Sequence, residues 1–229
     1  MKVSAADVRE VLDWLEARST AHDRENLPRF GITAKKAFGV SVANVRVLAK
    51  EIGRSHELAE AIWLTGWLEA RMLAAFIDEP ERVTSAQMDR WCRDFDNWGI
   101  CDTVCFHLFD RTTHAWRMVA KWGDQREEFV KRASFALLAC IALHDKKAAD
   151  APFSESLPLV ERAAEDERNF VKKGVSWALR SIGRRNRALH CEAFALAQRL
   201  TESPHSAARW VGKDAVRDLA KPGVLQRLK

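Results

Sequence analysis

Three short stretches of this 229-residue chain hold residue types at spacings that can do chemistry. The densest is Asp94-Phe95-Asp96-Asn97-Trp98-Gly99-Ile100-Cys101-Asp102-Thr103. Trp98 and Asp102 are four positions apart, so on a helix they share one face, one turn apart. Asn97 or Asp96 can cap that helix by accepting an orphan backbone N–H. A carboxylate and an indole facing the same surroundings make an unusual pair. Either the indole is partly exposed or the carboxylate is partly buried. The spacing is met equally by a core Trp beside an Asp that bonds to a neighbouring Arg or backbone group.

The second stretch is residues 168–186. Phe170, Gly174, Trp177 and Ser181 follow helical spacing, and Lys173, Trp177 and Arg180 share a face. Cations interleaved with an aromatic offer charge to phosphates and a π-face to a base or sugar. Gly174 permits a close approach to the backbone or marks tight helix packing. Arg184 and Arg185 stand where a helix C-terminus welcomes cations in any case. In the third stretch Arg132 interrupts an apolar helical run. It is a phosphate clamp, a snorkelling side chain, or a partner for Glu128 one turn earlier.

Other chemistries fail on spacing. Cys101 and Cys105 can share a helix face, but His107 points away from it, so no tetrahedral zinc set forms. The chain holds no glycine-rich phosphate loop and no Gly-x-Ser-x-Gly. Trp63, Trp67 and Trp91 read as core.

The elements that position these residues are helices. Ala is frequent, at 34 residues, while Gly (10) and Pro (6) are few. That balance disfavours sandwiches and barrels, which need many turns. Apolar stripes mark helices near residues 5–18, 42–52 (capped by Ser41, ended by Gly53), 56–65, 68–77 and 85–95 (capped by Thr84). Further segments cover roughly 99–110, 114–121, 126–143, 155–164, 167–182, 188–200 and 205–220. Pairs recur every 35 to 45 residues or so, the period of two-helix repeats of the HEAT type. The reading is an all-α, HEAT-like α-α superhelix over residues 1–229, a single domain of about six helix pairs with a concave basic face. A compact helical bundle is the competing architecture.

Charge is uneven. Residues 168–229 hold 14 Lys/Arg against 4 Asp/Glu, while the first 167 residues are net acidic. A basic third points to a polyanion, nucleic acid first, or to a solvated basic surface. Five cysteines without Cys-x-x-Cys fit a reducing, cytoplasmic setting. No run reaches membrane-span length, and the N-terminus lacks the apolar core of a signal peptide.

Taken together, Trp98-x-x-x-Asp102, Arg132 and Phe170-Val171-Lys172-Lys173-x-x-x-Trp177-x-Leu179-Arg180 resemble the bacterial DNA alkylation repair family, the AlkD-type DNA glycosylases. The segment Ala34-Lys35-Lys36-Ala37-Phe38-Gly39-Val40-Ser41 resembles that family's N-terminal region. The likeness runs from about residue 30 to 220. It implies a solenoid holding duplex DNA and releasing N3- and N7-alkylated purines without metal or organic cofactor. It also implies that the damaged base need not be swung into a pocket, unlike in most glycosylases. By resemblance Asp102 is the catalytic carboxylate, Trp98 and Trp177 are the aromatic pair against the sugar, and Arg132 contacts phosphate. Lys172, Lys173, Arg180, Arg184 and Arg185 would hold further backbone phosphates. The expected partner is double-stranded DNA with alkylated bases, met by a monomer in the cytoplasm at the nucleoid, with no membrane. A non-catalytic solenoid that binds DNA structures or a protein is the alternative.

Overall fold

A computed structural model describes residues 4–228. Helices and turns account for all regular structure among the described residues, and no strand occurs there. The chain divides into two compact units, residues 1–113 and 114–229.

The first unit contains α1 (Ala5–Glu16), α2 (Ala21–Asn26), α3 (Val42–Ile52), α4 (His56–Trp63), α5 (Leu68–Ile77), α6 (Ser85–Arg93) and α7 (Trp98–His107). α3, α5 and α7 are successive neighbours in one layer, and α4 and α1 pack on α5 and on each other. The expected caps form: Ser41, Thr84 and Asn97 each accept a backbone N–H from three residues on. Gly53 ends α3 at φ 77°, a conformation costly to any side chain. Trp63 and Trp91 are buried and stack at 3.9 Å, which ties α6 to α4. Such a pair adds about 1 kcal/mol beyond its buried area. Trp63 Nε1 is satisfied by Asp94 at 2.8 Å.

An irregular segment precedes α3. Its Phe38, Gly39 and Val40 amides all donate to the Glu69 carboxylate of α5, at 3.0, 2.8 and 3.2 Å. Glu69 is 2% exposed, so these bonds replace the water its charge has lost. Gly39 has φ 83°, and a Cβ there would stand 2.5 Å from the Thr20 carbonyl. Only glycine fits that crossing.

The second unit contains α8 (Ala115–Trp122), α9 (Glu128–His144), α10 (Ala151–Ala163), α11 (Asn169–Ile182), α12 (Arg187–Thr201), α13 (Ser206–Leu219) and α14 (Pro222–Leu225). α9, α11 and α13 are neighbours in one layer. α8 packs on α9, α10 on α11, and α12 on α13, so the unit is three stacked helix pairs.

Two elements depart from the sequence reading. α10 begins at Ala151, not at 155. Pro152 sits in the first turn, where no N–H is needed, and Pro158 interrupts one bond inside the helix; together they hid the start. α2 has six residues, none buried, and so left no apolar stripe to read.

α12 and α13 touch through Gly212. A Cβ there would meet the Thr201 amide nitrogen at 2.6 Å and the Ala197 carbonyl oxygen at 2.7 Å. Gly212→Ala must push two backbones apart and should cost about 2–3 kcal/mol, read as a lowered urea midpoint. Gly223→Ala, with nothing within 4 Å, should stay within about 1 kcal/mol of the parent.

Candidate functional site

In the first unit Trp98 opens α7, and Asp102 follows one turn later on the same face. Both side chains are partly exposed, whereas Ile100, Cys101, Val104 and Cys105 on the other side are fully buried. The sequence left open whether the indole or the carboxylate would compromise, and both do. Trp98 Nε1 donates to the Phe30 carbonyl at 2.7 Å. That bond fixes the ring and leaves its faces for contact. Asn97, 1% exposed, caps the helix by accepting from Ile100 at 3.1 Å. Gly99 lies against Ile32: a Cβ would sit 3.1 Å from Ile32 Cδ1 and 3.1 Å from Asn97 Oδ1. The glycine therefore keeps the cap and the Trp98 turn close to the chain around residue 32. A cavity of about 440 Å³ adjoins Trp98, walled by Phe30, Ile32, Val42 and Met72.

In the second unit α11 carries the other residues. Gly174 faces α9, where Arg132 Cγ would be 3.4 Å and Phe135 Cβ 3.6 Å from an added Cβ. Of the two readings of this glycine, tight helix packing is the one observed. Arg132 is 6% exposed and donates through Nη1 to the Phe170 carbonyl at 2.6 Å. It therefore joins α9 to the first turn of α11. Lys173 is exposed and Trp177 partly so. Lys172 places its ammonium 5.4 Å from the ring of Trp210 on α13.

The arginines near the end of α11 are already engaged. Arg180 lies 3.4 Å from Asp214, which also accepts from Ser176 at 2.6 Å. Arg184 and Lys221 both bond to Asp218, at 2.7 and 2.9 Å. Burial pushes the Asp218 carboxyl up, but bonds from Lys221 and Arg184 outweigh it and hold it below its usual range. Arg185 donates to the carbonyls of Ala142, Asp145 and Ala148 and covers the Phe153 ring at 4.1 Å. Its fork closes the C-terminus of α9. The sequence gives these three side chains one appearance, because the partners of Arg180 and Arg184 lie 34 residues further on.

Two further contributors, Asp166 and Trp210, lie outside the three stretches. Asp166 pairs with Lys131 at 3.1 Å and with Arg168 at 2.6 Å, and Arg168 donates on to the Arg126 carbonyl. This cluster pins the start of α11 to that of α9. Trp210 is 38% exposed amid cations, a signal readable as a Trp in the basic third at helical spacing from Lys213 and Arg217.

A sequence-family model described as "DNA alkylation repair enzyme" matches residues 11–219. A solved structure described as a new family of proteins related to the HEAT-like repeat DNA glycosylases, with affinity for branched DNA structures, superposes with TM-score 0.76. It is 20% identical, over 92% of this chain and 94% of that one. This likeness establishes the all-α, HEAT-like fold. A designed armadillo repeat protein bound to a (KR)4 peptide reaches TM-score 0.40 at 12% identity, over 93% of this chain and 84% of that one. No curated protein matches.

The Asp166 cluster generates a pH prediction. Bonds from Arg168, then from Lys131, outweigh burial and hold the Asp166 carboxyl well below the usual range. The folded state therefore binds this proton less readily than the unfolded chain. The stabilisation is complete above the unfolded value of about 4 and is lost as pH falls below it. Asp166→Asn should cost about 1–2 kcal/mol at neutral pH, and its unfolding free energy should fall less steeply in acid than the parent's.

Proposed function

The chain belongs to the DNA alkylation repair enzyme family, and from that premise we propose that it is a glycosylase releasing cationic N3- and N7-alkylated purines from duplex DNA. The bond cleaved is the N-glycosidic bond, by hydrolysis and without strand scission. The observation that carries this reading is the Trp98–Asp102 pair: a half-buried carboxylate one helical turn from an indole anchored through its N–H.

Alkylation at N3 or N7 gives the purine a positive charge. The base then leaves with the bonding electron pair as a neutral species, and the sugar becomes an oxocarbenium-like cation. A leaving group of this kind asks for no proton and draws on no metal or organic cofactor. The rate depends on how well the cationic sugar is stabilised. In this proposal Asp102 supplies the opposing negative charge and orients the attacking water, whose oxygen bonds to the anomeric carbon as its proton passes to the surrounding water. Trp98 and Trp177 present π-faces, whose negative potential favours a cation. An uncharged base keeps its strong bond, so substrates are confined to cationic lesions.

Binding is assigned to the basic side of the second unit. Lys172 and Lys173 lead the phosphate contacts, and Lys173 is exposed. Arg180 and Arg184 join them through donors left over from Asp214 and Asp218. Arg132 and Arg185 serve this surface by holding it in place: Arg132, 6% exposed, bonds to the first turn of α11, and Arg185 bonds to the end of α9. The setting proposed is the cytoplasm, with the protein working on the nucleoid as a monomer.

A second reading rests on the structural neighbour described as having affinity for branched DNA: a binder of DNA structures that releases no base. One assay separates the two. Methylated duplex should release 7-methylguanine with the parent protein, and Asp102→Asn should cut release on the order of 100-fold or more while duplex affinity persists. Equal release by the variant removes Asp102 from the mechanism. Binding without release by the parent leaves the structure-binding reading. Lys173→Ala should weaken duplex affinity whether or not a lesion is present, and lower the slope of log affinity against log salt by about one.

A further inference from the structure

The α11–α13 edge of the second unit holds an aromatic that the proposed reaction does not use. α13 turns Ser206, Trp210, Lys213 and Arg217 to solvent, while Ala207, Ala208, Val211 and Ala215 fill its core side. Trp210 exposes 38% of its surface, so the core does not require it. Lys172 stands 5.4 Å from its ring, within the range of a cation–π contact. Arg209 donates to the Ser203 and Pro204 carbonyls at 2.8 and 2.7 Å, which fixes the turn that carries the indole. Two carboxylates lie nearby: Asp214 is paired with Arg180 and Arg217, and Glu167 accepts from Ser206 one turn before the indole. The indole is thus a flat apolar plate with Lys172 against its ring and Lys213 one turn further along α13, the side away from Glu167 and Ser206 being the cationic one.

That combination fits a strand of nucleic acid more closely than it fits a protein. Lysines meet phosphates, and an indole face stacks on a base of any identity. Within a duplex the base faces are covered by their neighbours, and only edges and backbone are offered to a protein. A protruding indole is complementary to a nucleotide whose base has lost its partner. We propose that Trp210, flanked by Lys172 and Lys213, is a stacking platform for an unpaired nucleotide of DNA, as found at a single-stranded extension or junction beside the duplex. This rests on the reading that the second unit's basic side binds DNA.

The test uses the full chain with two DNAs: a blunt duplex, and the same duplex with a short single-stranded extension whose first base is 2-aminopurine. The parent should bind the extended DNA about tenfold more tightly than the blunt one and should quench the 2-aminopurine emission. Trp210→Ala should lose both the tenfold gain and the quenching while keeping the parent's affinity for blunt duplex. Trp210→Phe should keep most of the gain, since a smaller ring still stacks. A parent that binds blunt duplex but gains nothing from the extension overturns this inference and leaves the DNA reading intact. A Trp210→Ala loss that is equal on both DNAs also overturns it, because the indole then serves duplex binding or folding. A parent with affinity for neither DNA, even at low salt, overturns both.

Discussion

The bond from the buried guanidinium of Arg132 to the Phe170 carbonyl is the contact on which the second unit's basic side depends. It fixes the first turn of α11 against α9, and Gly174 lets the two helices close over it. A charge at 6% exposure is tolerable only when its donors are occupied, so the bond satisfies the arginine as much as it orients the helix. With α9 on one flank and α13 on the other, packing sets the face of α11 from which Lys173 and Trp177 project.

The same side shows why formal charge overstates what a ligand meets. Residues 168–229 carry 14 Lys/Arg. Arg180 and Arg217 share Asp214, Arg184 and Lys221 share Asp218, Arg168 is held by Asp166, and Arg185 closes the end of α9. Two aspartates thus organise four cations into a ladder between α11 and α13. The ladder restrains four long side chains that would otherwise sample many rotamers. Lys172 and Lys173 provide the less committed charge.

What the sequence discloses follows from the range of the interactions involved. Caps act over three residues, so Ser41, Thr84 and Asn97 were legible from the chain alone, as were the helices behind them. The shared face of Trp98 and Asp102 followed from a spacing of four. The carbonyl that anchors Trp98 did not, because Phe30 is 68 residues away in sequence. The partners that engage Arg180, Arg184 and Arg185 lie 34 to 43 residues off, and repeats without a shared residue signature give no register with which to find them. Prolines and brevity hid the start of α10 and all of α2, since both weaken the periodic signal.

The buried carboxylate of Glu69 also bears on synthesis. The amides of Phe38, Gly39 and Val40 have no other acceptor as good, and the residue that satisfies them is made about thirty residues later. As the chain leaves the ribosome, the loop of residues 38–40 must wait for α5 before it can settle. The order of translation thus makes this loop one of the later parts of its unit to become native, although it is made before the helix that holds it.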